Sequence, residues 1–244
     1  MLDRNDTSEL SLPMEKALER QVVHRDYIAH CLRYSYFLKL VKRGINILDI
    51  GAGRGNILKG LYSNKLKPNL YVAIDVKRRK IKKLLEFKTN FKVVGIVTDI
   101  RTDKLKSLTN TFDLVACFEV IEHFEVKYLP HVLNEIKRVL KPGGRLILST
   151  PNYDGVHHAK NHVHEYREEE LEWYLDQAFT IERRHGTFAS QKNIVSVLTA
   201  YEKSVWILLK EWFNSDVLSI IFASLHPSQS RNILWVCKKD ESSS

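Results

Sequence analysis

Hydrophobic and polar positions change rhythm three times along the chain. Over residues 13–43 apolar side chains recur at spacings of three and four (Val22, Val23, Tyr27, Ile28, Cys31, Leu32, Tyr34, Phe37), the period of an amphipathic helix. From Ile45 onward short runs of Ile, Leu and Val (INILDI, LYVAID, FKVVGIV, FDLVACF, RLILST) are separated by polar or helix-patterned stretches. Apolar runs of this kind suit strands covered on both faces, and their alternation with helices predicts repeated β-α units around a parallel sheet. Five strands are expected before residue 150. Beyond it come a polar, His-rich segment, an expected helix over 167–178 and a strand over 179–188. Helical spacing then runs over 194–225 with a break near 214–216, before NILWVCKK returns to strand character. About forty residues, roughly 190–230, thus stand as a helical insertion before the last strand, a length that usually carries function or its own helices.

The pattern predicts one α/β domain over residues 1–244: an N-terminal helical region (1–43), a core (44–152) and a second half with the insertion (153–244). The composition, 44% hydrophobic and 27% charged over 244 residues, excludes a disordered tail, a collagen-like rod and a disulfide-stapled miniprotein. A chain of this length removes roughly three quarters of its unfolded surface from water, enough for a core without cross-links.

The sharpest chemical signal is Ile47-Leu-Asp49-Ile-Gly51-Ala52-Gly53-Arg-Gly55-Asn56, a buried strand running into a glycine turn and a helix. In a doubly wound sheet that turn lies beside the crevice at the carboxyl ends of the strands. Twenty residues after Gly55 the second strand ends at Asp75, placed to accept both hydroxyl hydrogen bonds of a ribose. Together they point to an adenosine-containing ligand. The dinucleotide pattern Gly-x-Gly-x-x-Gly is not met, because the third glycine comes one position early. Asp49 before the turn suits a cationic ammonium or sulfonium better than a pyrophosphate. The Walker pattern fails as well, since Lys59 is followed by Gly60.

These residues resemble the class I S-adenosylmethionine-dependent methyltransferases. Asp49, Gly51, Gly53 and Gly55 match that family's Asp-x-Gly-x-Gly-x-Gly motif; Asp75, the pair Asp99-Ile100, FDLVACFEVIEH and LKPGGRLILSTPN follow in the family's order. The resemblance implies a Rossmann-like seven-stranded sheet of order 3-2-1-4-5-7-6 with strand seven antiparallel, S-adenosylmethionine as cofactor, and methyl transfer. It further implies that Asp49 and the three glycines surround the methionine moiety and that Asp75 holds the ribose. Asp99 and Ile100 would bracket adenine, with Phe118 and Glu119 at the junction of donor and acceptor. Ala52, Asn56 and Val76 complete the expected cofactor-binding set.

On the acceptor side, Glu122 and His123 follow Glu119 at spacings of three and four, so one helical turn would gather them. His157, His158, His162 and His164 crowd together further on. Three readings remain open. His123, Glu119, His162 or His164 is a general base toward a hydroxyl or amine, imidazole having a pKa near neutrality. Alternatively Glu119, Glu122 and His123 join His162 or His164 around a divalent metal; Glu-x-x-Glu-His with a distal His is similar to the metal site of small-RNA 3′-terminal 2′-O-methyltransferases. Such mixed ligands suit Mn²⁺ or a related ion. Glu-Val-Ile-Glu-His also occurs in metal-free members, such as those resembling ubiquinone-pathway O-methyltransferases. In the third reading these side chains cap a loop and form a solvated lid. A metal-free site is the expectation.

The charge balance is 38 Lys and Arg against 29 Asp and Glu, a formal +9 that favours polyanionic partners such as nucleotides or nucleic acid. Lys77, Arg78, Arg79, Lys80, Lys82 and Lys83 follow Asp75 directly, either as a phosphate-contacting patch or, as expected, as a solvated helix face without interleaved aromatics. Asn/Asp-Pro-Pro-Tyr is missing after the fourth strand, which weighs against DNA amino-methylation and leaves RNA or nucleotide acceptors open. A small-molecule acceptor is the leading expectation, with a noncatalytic S-adenosylmethionine-binding partner as the rival. Trp206, Trp212, Phe213 and Phe222 are expected to be core rather than a membrane-touching wall. Three scattered cysteines without a CxxC pair fit neither a disulfide framework nor a zinc ribbon, and no apolar run reaches membrane-span length. The N-terminal MLDRNDTSEL lacks a signal peptide's apolar core, so a cytoplasmic protein is expected.

Overall fold

Alternate residues of the central strands go to opposite faces of one sheet, and each face has its own layer of helices. The computed structural model describes residues 25–156 and 159–241. In chain order the elements are α1 (Arg25–Leu40), β1 (Asn46–Ile50), α2 (Asn56–Ser63), β2 (Leu70–Asp75), α3 (Arg78–Leu85), β3 (Lys92–Val97) and β4 (Phe112–Phe118). They continue with α4 (Leu129–Val139), β5 (Leu140–Pro151), α5 (Glu168–Asp176), β6 (Thr180–Phe188), α6 (Gln191–Val197), α7 (Ala200–Lys210), α8 (Ser215–Ala223) and β7 (Asn232–Lys238). The strand order is β3-β2-β1-β4-β5-β7-β6. β1 to β5 pair in parallel, and β7 pairs antiparallel with both β5 and β6. This is the class I methyltransferase topology.

Leu48, Val72, Ile74, Val115, Cys117 and Trp235 face α4 and α5. Ile47, Tyr71, Ala73, Leu114, Ala116 and Leu234 face α1, α2 and α3, where Phe37, Leu58, Leu61 and Ile81 cover them. The period of two in the strands is thereby matched to covering helices on both sides, which is why the sequence shows continuous apolar runs rather than alternation. The first part of the expected N-terminal helix, residues 13–24, lies outside the described residues.

The insertion is three helices rather than one broken stretch. Thr199 caps α7 through a reciprocal pair with Glu202, so the chain breaks after Val197 as well as near Asn214. Ile194, Leu198, Trp206, Leu218 and Phe222 form a small core of their own. Trp206 and Phe222 are therefore core as expected, whereas Trp212 and Phe213 are exposed. Among the described residues no helix is long and apolar enough to cross a membrane.

Candidate active site

The site is made by two left-handed turns that meet. β1 enters a turn whose glycines Gly51, Gly53 and Gly55 have φ of 67°, 56° and 74°. β4 leaves the sheet through Glu119, a non-glycine residue at φ 53°, a conformation that costs about 1–3 kcal/mol unless its surroundings enforce it. They do enforce it. The Glu119 amide donates to the Ser149 carbonyl at 2.9 Å. Its carboxylate receives Arg33 Nη1 at 2.6 Å, Ser149 Oγ at 3.0 Å and Asn232 Nδ2 at 3.0 Å. The turn throws Val120 against Gly51, where a Cβ would sit 2.5 Å from Val120 Cγ2. Gly51→Ala is expected to cost about 2–4 kcal/mol, the sum of left-handed strain and overpacking. Adding Val120→Ala should recover only the overpacking part; full recovery in denaturant unfolding would show that the turn itself carries no strain.

The two turns open on a cleft of about 510 Å³, within the range of small-ligand sites. Asp75 closes β2 on its wall, only 6% exposed. Oδ2 accepts from the Gly53 amide at 3.2 Å and Oδ1 from the Lys77 amide at 2.8 Å, while Lys80 Nζ stands 3.4 Å from Oδ2. The carboxylate is thus fixed by one amide of the glycine turn and one just beyond its own strand. Asp99 and Ile100 lie on the same wall, with Arg101 forking both Asp99 oxygens at 2.8 and 2.6 Å. That pair holds the Asp99 carboxyl below the usual carboxylate range. Exposed pairs of this kind contribute about 0–1 kcal/mol, so an incoming amino group can share the carboxylate.

Asp49 lies behind the glycine turn, where the Tyr71 hydroxyl donates to it. Burial pushes its carboxyl up to about 7; the Tyr71 bond opposes this and the nearby Asp75 charge adds to it. The folded protein therefore retains a proton that the unfolded chain has lost, and stability falls as pH rises from the ordinary carboxylate range through about 7. Asp49→Asn is expected to melt above the wild type at pH 8 and level with it at pH 4. An equal shift at both values in calorimetry would show that Asp49 does not titrate in this window.

The acceptor-side corner is built by the short turn Ile121–His123 and the loop carrying His162. The Glu122 carbonyl accepts from the amides of Val163 and His164 at 2.7 and 3.1 Å, which ties the two segments together. The Glu122 side chain is fully buried: Thr150 Oγ1 donates to Oε2 at 3.1 Å, and Oε1 has no hydrogen-bond partner among the described residues. Burial, reinforced by the Glu119 charge, pushes its carboxyl well up. His123 is half exposed and lines the cleft, its Nδ1 3.0 Å from the Asn161 carbonyl. A carbonyl can only accept, so the neutral ring carries its hydrogen on Nδ1 and leaves Nε2 with a lone pair.

Of the expected cofactor residues, Gly51, Asp75, Val76, Asp99, Ile100 and Glu119 line the cleft. Asp49, Ala52, Gly53, Gly55, Asn56 and Phe118 stand away from that wall. Gly53 still reaches Asp75 through its amide, and Asn56 donates to the Tyr34 hydroxyl, whose ring meets Phe118 edge-on. Glu119, Glu122, His123 and His164 do not converge as one set: Glu119 is committed to Arg33 and Asn232, and His164 Nε2 meets Glu170 at 2.9 Å. His162 instead stands beside His123, ring centroids 5.1 Å apart. His157 and His158 lie outside the described residues. The basic run is largely the solvated face of α3, although Lys77 and Lys80 reach the cleft wall.

Arg33, Val120 and Asn161 were not anticipated. Arg33 alone had a readable signal: it shares a helical face with Phe37 and Val41 at spacings of four, a charge at a core position.

Comparison with known proteins agrees with this architecture. Residues 22–205 match the family Methyltransf_23, described as a methyltransferase domain. The ubiquinone biosynthesis O-methyltransferase of Rickettsia bellii is 33% identical over 132 residues, 50% of this chain and 50% of that one. The chain spans about half the length of the curated relatives it matches. Among solved structures, a chain from the complex of the Haloferax volcanii Trm112 methyltransferase activator with a methyltransferase superposes with a TM-score of 0.61 at 17% identity, covering 92% of this chain and 93% of that one. The Burkholderia thailandensis 1,6-didemethyltoxoflavin-N1-methyltransferase, solved with its acceptor and S-adenosylhomocysteine, gives 0.59 at 16% identity, covering 93% and 84%. The glycine turn, the acidic end of β2, the sheet order and a family match across most of the sequence converge: this chain belongs to the class I S-adenosylmethionine-dependent methyltransferases, in the family Methyltransf_23.

Proposed function

We propose that this chain transfers the methyl group of S-adenosylmethionine to an oxygen or nitrogen of a small-molecule acceptor. The observation that carries the reading is the cleft itself, which Gly51, Asp75, the Asp99-Ile100 pair, Glu119 and His123 line together. Asp75 accepts both ribose hydroxyls, Asp99 and Ile100 bracket adenine, and the buried Asp49 draws the cationic methionine end toward the turn. In the transfer, an acceptor lone pair attacks the methyl carbon in line with the carbon–sulfur bond. Sulfur leaves with that bonding pair as the thioether of S-adenosylhomocysteine.

The protein contributes mainly alignment and exclusion of water. His123 serves the acceptor: a lone pair at that wall either takes the acceptor's proton or holds an ion that acidifies it. Glu119, spoken for by Arg33, Ser149 and Asn232, positions the junction of donor and acceptor, and His162 and His164 shape the loop beside it. The small-molecule class is supported by relatives that, by their names, act in ubiquinone biosynthesis and on didemethyltoxoflavin. Lys77 and Lys80 on the wall favour one further reading, a phosphorylated acceptor such as a nucleotide.

The test is calorimetry with S-adenosylmethionine and S-adenosylhomocysteine, followed by turnover assays with separate pools of phenolic, amine and nucleotide acceptors. Saturable binding and release of S-adenosylhomocysteine with one pool support the enzyme and name its class. Binding without turnover in any pool would make the chain a noncatalytic cofactor-binding partner, and no binding would overturn the proposal.

A further inference from the structure

We propose that Glu122, His123 and His162 form a binding site for one first-row divalent transition-metal ion on the acceptor side of the cleft. The inference rests on the reading of this corner as the acceptor side and deepens it: the acceptor class becomes one with an oxygen able to enter a metal's coordination sphere.

Four observations carry it. One ligand atom from each of the three side chains lies within 4.8 Å of the other two. Metal–nitrogen and metal–oxygen bonds of about 2.0–2.2 Å put ligand atoms about 3.3–3.6 Å apart on a tetrahedral ion, so a contraction of up to ~1.5 Å by side-chain rotation closes the site. His123 Nε2 already stands 4.0 Å from Glu122 Oε1.

Second, Glu122 Oε1 is wholly buried and without a hydrogen-bond partner among the described residues, whereas its twin oxygen is satisfied by Thr150. Buried carboxyl oxygens are rarely left so, and an ion held together with two imidazoles is one of the few partners that fits there.

Third, both imidazoles are held by their far nitrogens. His123 Nδ1 meets the Asn161 carbonyl at 3.0 Å, and His162 Nδ1 meets Glu165 Oε1 at 2.6 Å. Glu165 itself is buried and also accepts from the Ala159 amide at 2.9 Å, which fixes it. Outer partners of this kind, one backbone carbonyl and one carboxylate, fix ligating histidines so that Nε2 faces the ion.

Fourth, the Glu122 carbonyl pins the segment after His162 through the Val163 and His164 amides, so the two halves of the site are fastened to each other without the ion. Two imidazoles and one carboxylate suit Zn²⁺, Co²⁺, Fe²⁺ or Mn²⁺ and not Mg²⁺ or Ca²⁺, which prefer oxygen donors. Three protein ligands leave positions open, and His123 and Asn161 on the cleft wall show which side they face.

The experiment uses the full chain without an affinity tag, stripped with a chelator and titrated with Co²⁺, read by visible absorption and by calorimetry. One equivalent is expected to bind, and Mg²⁺ should not compete. His123→Ala, at a half-exposed position that tolerates truncation, and His162→Ala should each weaken binding at least tenfold. His164→Ala, outside the ligand set, should leave it within twofold. Absence of saturable binding, several weak equivalents insensitive to the first two variants, or an equal loss in His164→Ala would each overturn the site. S-adenosylmethionine titrated into the same samples keeps the two readings apart: its binding without a Co²⁺ response removes the metal alone, and its failure removes the cofactor reading.

Discussion

Asp75→Ala is expected to weaken S-adenosylmethionine binding at least tenfold, and by as much as several hundredfold. The carboxylate ends β2 on the cleft wall, nearly buried, with its two oxygens already oriented by the Gly53 and Lys77 amides. A ribose diol adds two hydrogen bonds to a charged acceptor, each contributing about 1.5–3 kcal/mol, and water replaces part of that in the variant. One power of ten is about 1.4 kcal/mol, so even half of the gross value exceeds tenfold. Because Asp75 also accepts from the Gly53 amide, alanine loosens the glycine turn as well. Asp75→Asn separates the contributions: it keeps a carbonyl oxygen for one amide and loses the charge. Calorimetry should place it between wild type and alanine. Unaltered affinity in Asp75→Ala would mean that the cofactor's ribose is elsewhere.

The second large effect is expected at His123, where alanine should lower kcat by about 10²- to 10⁴-fold, the usual contribution of a positioned proton-transfer group or its equivalent. Binding of S-adenosylmethionine should stay within twofold, because the ring is half exposed and meets Glu122, Asn161 and His162 rather than Asp75. A loss confined to kcat identifies a group used in the transition state, whereas a parallel loss of cofactor affinity would make His123 a wall of the cofactor site. An unchanged kcat would remove it from the acceptor side altogether.

The strands and their cleft-facing ends were readable because burial on both faces leaves unbroken apolar runs, and because glycine at three left-handed positions leaves a spaced motif. The antiparallel placement of β7 had no such signal in its own residues; it came with the resemblance. Within the insertion, the continuous apolar spacing hid the break before α7, although the capping pair Thr199 and Glu202 was present in the sequence as Thr-x-x-Glu. The acceptor corner was only half legible. Local spacing brought Glu122 and His123 together, but the choice of His162 over His164 depends on which of them Glu165 and Glu170 engage, and that is set by the loop's path. Glu119 shows the same limit: Arg33 and Asn232, the partners that fix its carboxylate, lie far from it in sequence and meet it through packing of α1 and β7.

Asn232 and Glu119 are 113 residues apart, and only the reversed direction of β7 delivers the start of that strand to the carboxyl ends of β4 and β5. At about 5–20 residues per second of synthesis, roughly 6–23 s pass between the emergence of one partner and the other. The glycine turn, β2 and β4 are therefore present on the ribosome well before the turn at Glu119 has its full set of restraints. A nascent chain halted ahead of β7 already carries the glycine turn and Asp75 and lacks Asn232, the restraint that completes the turn at Glu119.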